Sequence, residues 1–194
     1  MNEELTQLVD QLNSVSQDAD DSFRALTAEQ LNWKPSTNEW SVAQCFEHLI
    51  VSNAGYLPLI EKIARGEHKS SMKERMPVLP RFFGTMVLKA VQPQSQRKFK
   101  AGRGFQPSTS SIGSDIIKRF NAQQAELAER MRSTDGMDLR KIIVTSPVRS
   151  FVTYSLLDAF RIVVAHEQRH LAQAKRVTTR DGFPNVSNSF THHA

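Results

Sequence analysis

The sequence predicts an all-α fold: a four-helix bundle with one long crossover between the second and third helices. Three observations lead there. Four stretches carry apolar residues at three- and four-residue steps, the spacing that returns side chains to one face of a helix. Only 8 glycines and 8 prolines are spread over 194 residues, which leaves room for long helices. Four of those prolines (Pro77, Pro80, Pro93 and Pro107) fall between residues 67 and 111. That segment is too long for an ordinary turn and suits a crossover.

The first helix is predicted over residues 4–26, where Leu5, Leu8, Val9, Leu12, Val15, Ala19, Phe23 and Leu26 form one stripe. Thr27 opens a short turn with Gln30 three residues on, a capping-box spacing. A loop follows, interrupted by Pro35 and Asn38. Ser41 is the expected N-cap of the second helix, whose apolar row runs from Val42 through Cys45, Phe46 and Leu49 to Ile60 and Ala64. Pro58 lacks an amide hydrogen and is expected to kink or divide this helix near Tyr56, with Gly66 as its end. Within the crossover, RFFGTMVLKAV is apolar enough for a short helix lying across the bundle or over one end as a lid. The third helix is expected from Ser114 to Met131, with Ile116, Ile117, Phe120, Gln124, Leu127 and Met131 buried. Residues 133–152 read as a loop with extended character in KIIVTSPV. The fourth helix is expected from Thr153 to Thr179. Residues 1–180 are thus expected to form one domain, with 181–194 as a tail.

Hydrophobic residues make up 39 % and charged residues 23 %, a globular composition. No apolar run approaches the roughly 18 residues of a membrane span, and the polar N-terminus does not resemble a secretory signal. A cytoplasmic location is the expectation. The single cysteine, Cys45, excludes an intrachain disulfide and a cysteine-based zinc site. Its apolar surroundings suit an inert buried thiol. The net charge of +5 is concentrated: from Met76 to Ser114 there is no acidic residue, whereas Arg81, Lys89, Arg97, Lys98, Lys100 and Arg103 all lie there. This basic stretch 81–103 is either a solvated loop or a surface for anions. It has no recognisable nucleic-acid motif, so nucleic acid ranks last among partners.

Three of the six histidines stand where a metal site can be built. His166 and His170 are four residues apart, on one face of the fourth helix. His48 lies two turns inside the second helix, at a similar height if the two helices are antiparallel neighbours. Imidazole ligands suit zinc, nickel or another late first-row ion, and three of them leave a coordination position open. The residues alone equally allow a chance His-x-x-x-His. His68 is expected to be solvated, and His192 and His193 belong to the tail.

Two stretches together resemble the DinB-like (DinB/YfiT) family of metal-binding four-helix proteins. They are LTAEQLNWKPSTNEWSVAQCFEHLI (residues 26–50) and LLDAFRIVVAHEQRHLAQ (residues 156–173). The resemblance extends to about residue 180. It implies an up-down-down-up bundle, a homodimer as a reasonable oligomeric state, and a divalent ion on His48, His166 and His170. It also implies chemistry on a small molecule. Relatives include transferases and isomerases that use low-molecular-weight thiols, and others described as metal-dependent hydrolases. The name shared with a DNA polymerase carries no implication for DNA binding.

The expected activity is therefore thiol-dependent S-transfer to a small electrophile, with hydrolysis or non-catalytic metal binding as alternatives. No general base is evident. Glu47 and Glu167 adjoin ligands in sequence, but one step along a helix turns a side chain by about 100°, and both are expected on helix surfaces. Gln44 and Gln173 share a face with a ligand, as supports or as plain packing. Trp33 and Trp40 either line a pocket or pack over the bundle end.

Overall fold

In the computed structural model, residues 2–75, 79–92 and 102–184 are described. Local capping chemistry sets several helix starts. Helix α1 (Glu3–Phe23) begins where the Asn2 side chain accepts from the Glu4 amide. Helix α2 (Ala28–Asn32) is closed by the reciprocal Thr27–Gln30 capping box, and α3 (Val42–Ala54) by the same device between Ser41 and Gln44. At Gly55 the helix passes into α4 (Tyr56–Ala64). The division falls where Pro58 cannot donate a helical hydrogen bond. Helix α5 (Leu79–Val91) and a 3-10 turn (Arg103–Phe105) lie in the crossover, followed by α6 (Ile116–Arg132). Strands β1 (Ile143–Thr145) and β2 (Thr153–Ser155) pair antiparallel, with Val144 opposite Tyr154. The expected fourth helix therefore starts three residues late, as α7 (Leu156–Thr178), because residues 153–155 are held in the ribbon.

Cross-helix bonds fix the directions. Near the start of α1, Asn2 meets Asp135 beyond the end of α6, whereas Ser16 meets Asn121 early in α6, so these helices are antiparallel. Glu4 pairs with Arg161 and Asp18 with Lys175, so α1 and α7 are parallel. Gln123 reaches the Ile50 carbonyl and Arg130 reaches Glu61, so α3 and α4 run parallel to α6. The order is up-down-down-up. Helices α1 and α3 run in opposite directions but sit diagonally, each flanked by α6 and α7.

The core falls into two apolar blocks. One holds Leu5, Leu12, Ile60, Leu127, Tyr154 and Phe160; the other holds Phe23, Phe46, Leu49, Phe120, Leu171 and Ala174. Each fully buried large side chain contributes about 1.5–3 kcal/mol. Between the blocks lies a polar layer of Asn53, Gln124 and Glu167, all 1 % exposed or less.

The crossover's apolar segment, expected as a short helix, is α5, and it packs along α7 and β2. Gly84 permits the approach: a Cβ there would stand 2.9 Å from the Asp158 carboxylate. Among the described residues, no helix is long and apolar enough to cross a membrane.

Candidate metal centre

Helices α3 and α7 are antiparallel neighbours, and this brings the three expected histidines together. One potential ligand atom from each of His48, His166 and His170 lies within 4.8 Å of the others. Among the described residues no other group of three or more His, Cys, Asp or Glu side chains is so arranged, and no carboxylate joins this one. The Nε2 atoms of His48 and His166 are 3.2 Å apart. Two nitrogens on one tetrahedral ion, each about 2.0–2.1 Å from it, sit about 3.3 Å apart, so this pair already has a fitting separation.

The crossover orients His48. Its Nδ1 lies 2.6 Å from the carbonyl oxygen of Phe105. A carbonyl only accepts, so Nδ1 carries the hydrogen and donates. In the neutral ring the lone pair is then on Nε2, facing His166. An outer hydrogen bond of this kind is the usual means of fixing a metal-binding imidazole.

His48 and His170 are buried, and His166 is partly buried. Burial lowers all three pKa values. For His48 the Phe105 hydrogen bond works against the fall. His166 is held at about 3 by burial, with the charges of His48 and Arg169 adding to it. His170 lies well below its ordinary value through burial and the charges of His166, His48 and Arg169, with Gln173 opposing. The rings are thus neutral near pH 7, the state in which imidazole coordinates. Nδ1 of His170 is buried with no hydrogen bond of good geometry among the described residues, the Gln173 side chain being its polar neighbour. Three converging ring nitrogens, two of them facing each other at 3.2 Å, and a neutral donor set fit a divalent ion.

Trp40 forms one wall of the site, stacked on His170 at 5.5 Å and standing 4.9 Å from His48. Trp33 instead packs edge-on against Phe183 at 5.6 Å. Arg169 lies beside the cluster and donates to the carbonyls of Ala90 and Gln92, joining α7 to the end of α5. Gln44 completes the α3 cap and also donates to the Ser108 carbonyl.

Several residues differ from expectation. Glu167 is not on the helix surface: it is wholly buried in the polar layer. Its Oε1 accepts from Asn53 at 2.6 Å and Gln124 at 3.0 Å, and burial raises its pKa to about 8 against those bonds. The signal was present in the apolar row Phe160, Val163, Glu167, Leu171, Ala174. Glu47 is only partly buried, but it binds the Ser108 backbone amide at 2.6 Å and is not a free surface carboxylate. His68 is also less solvated than expected, with Nε2 3.2 Å from the Ile143 carbonyl and 3.7 Å from Glu74. Cys45 is fully buried and its thiol is pushed up to about 12 by burial, the environment expected of an inert thiol. Arg97, Lys98, Lys100, His192 and His193 lie outside the described residues.

Among the described residues, surface cavities lie elsewhere. One of about 380 Å³ sits between α1 and α6, and one of about 300 Å³ between α1 and α7; no histidine lines either.

The comparisons with known proteins agree with this architecture. A family model described as the DinB superfamily matches residues 11–174. The chain is also similar to an uncharacterised protein, YuaE, of Bacillus subtilis (strain 168). They are 24 % identical over 157 residues, covering 80 % of this chain and 87 % of the relative. No solved structure matches.

Proposed function

The chain belongs to the DinB superfamily, and from that premise we propose that it is a metal-dependent enzyme holding one zinc or nickel ion on His48, His166 and His170. The observation that carries this reading is the convergence of three neutral, buried or partly buried imidazoles, one of them oriented through its second nitrogen. An ion bound there would leave a coordination position open and would acidify a thiol or a water placed in it.

The reaction we propose is transfer of a low-molecular-weight thiol to a small electrophile. Hydrolysis generally requires a base beside the attacking water. Neither Glu47, bound to Ser108, nor Glu167, whose Oε1 accepts from Asn53 and Gln124, joins the histidine group, so neither carboxylate is placed for that task. A thiol needs no such base once acidified. The positive charge of Arg169 beside His166 and His170 favours an anionic small molecule. Trp40 covers one side of the imidazoles and limits the access of water there.

The test is consumption of a thiol panel with a fluorogenic alkylating electrophile, using zinc- or nickel-loaded protein. The expected result is turnover that disappears after chelation and in His166→Ala. Turnover indifferent to both would contradict the reading. Metal-dependent cleavage of an ester without any thiol would replace it with a hydrolase.

A further inference from the structure

We infer that Glu47 is a positioning residue for this centre: acting through Ser108, it fixes the crossover so that the Phe105 carbonyl holds His48 in its coordinating orientation. The inference rests on the metal-binding reading above.

Glu47 adjoins His48 in sequence, so its side chain leaves α3 about 100° around the axis. It is not part of the histidine cluster. It reaches the crossover instead. The Ser108 amide donates to Glu47 Oε2 at 2.6 Å, and the Ser108 hydroxyl donates to Oε1 at 3.3 Å. From one turn earlier on α3, Gln44 Nε2 donates to the Ser108 carbonyl at 2.9 Å. Ser108 is thus gripped on both sides of its backbone by residues flanking the ligand.

Three residues before Ser108 is Phe105, whose carbonyl receives the His48 hydrogen bond. So short a piece of chain spans at most about 11 Å, and the Phe105 amide closes back onto the Gly102 carbonyl at 2.8 Å. Farther on, Asn32 brackets Ile112, accepting from its amide at 2.8 Å and donating to its carbonyl at 2.9 Å. Between these points the crossover belongs to no sheet, so side-chain clamps set its position. The contact of the Ser108 amide to the Glu47 carboxylate, at 2.6 Å, is shorter than the Gln44 contact to the same residue at 2.9 Å, and a carboxylate acceptor strengthens it.

Without Glu47 the Ser108 side of the crossover is held by Gln44 alone, and the Phe105 carbonyl holds the tautomer and ring angle of His48 less firmly. The ordering then has to occur when the ion binds, and affinity falls. Linkage requires the reverse as well: an ion that binds the ordered state better must order the crossover.

The experiment uses the full chain and zinc alone, with affinity measured against a competing chromophoric chelator. Glu47→Ala is expected to weaken zinc roughly 10–100-fold, the usual effect of losing an outer-shell partner. Glu47→Gln keeps an oxygen acceptor for the Ser108 amide and should recover most of that loss. Ser108→Ala keeps the backbone donor and should stay within about threefold of wild type, since only a long hydroxyl contact is removed. Hydrogen exchange is followed in parallel. Zinc should slow the Ser108 amide in wild type and slow it less in Glu47→Ala.

If wild type binds zinc and Glu47→Ala binds it equally tightly, the inference is overturned and the metal reading stands. If wild type binds no zinc, both fall. Should Glu47→Ala fail to fold, wild-type exchange decides: a crossover whose exchange zinc leaves unchanged overturns the inference, and one that zinc protects upholds it.

Discussion

The indole of Trp40 is stacked on the imidazole of His170, with ring centroids 5.5 Å apart and planes 21° from parallel. The chain has only one other tryptophan, Trp33, which packs against Phe183. Nickel bound at the histidines would therefore sit close to one indole and not the other. Titration with nickel should quench tryptophan emission in wild type and in Trp33→Phe, and leave Trp40→Phe nearly unchanged. Equal quenching in Trp40→Phe would contradict this placement of the ion.

The buried Glu167 makes stability depend on pH. Burial raises its folded pKa to about 8, against the hydrogen bonds from Gln124 and Asn53, whereas an unfolded glutamate titrates near about 4.3. Between those values the folded chain holds a proton that the unfolded chain has released. Its contribution to stability therefore falls as pH rises through that window and levels off above about 8. Urea unfolding of chelator-treated protein should show Glu167→Gln gaining on wild type from pH 5 to pH 8. A gap independent of pH would contradict the assignment.

That residue also shows what could be read from the sequence. The helices, the Thr27–Gln30 capping box, the Ser41 cap and the break near Pro58 follow from local periodicity and cap residues, whereas spacing alone left the three histidines open to chance and the family resemblance implied them as one ligand set. One step along α7 turns Glu167 away from the face of His166, as expected. The direction it turns to is core and not solvent, because Phe160, Val163, Leu171 and Ala174 on the same row are buried. Asn53 sits in the same way between Leu49 and Tyr56, and Gln124 between Phe120 and Leu127. A polar residue on an apolar row signals a buried network when a second helix supplies its partner. The pairing of Glu47 with Ser108 had no such signal. It joins residues 61 apart in the chain, and it depends on where an irregular crossover comes to rest.

Gly55 marks the junction of α3 and α4 with an ordinary helical φ of −71°, so its role is one of space alone. A Cβ there would lie 2.6 Å from Cβ of Pro147 in the loop joining β1 and β2. Gly55→Ala should destabilise the fold by about 1–3 kcal/mol, the usual cost of overpacking. A denaturation midpoint equal to wild type would show that this loop moves aside freely.

Burial pushes the Cys45 thiol up to about 12, so very little thiolate exists near neutral pH. Native protein should resist a thiol-specific alkylating reagent at pH 8, and one equivalent should react promptly in denaturant. Rapid modification of the native chain would contradict the packing of Cys45 in the core.

The most direct test of the metal centre is the metal content of untagged protein after incubation with zinc or nickel, for wild type beside His48→Ala, His166→Ala and His170→Ala. The account predicts about one ion per wild-type chain and a large loss in each variant. Wild-type protein that takes up neither metal, or variants that bind as much as wild type, would contradict it.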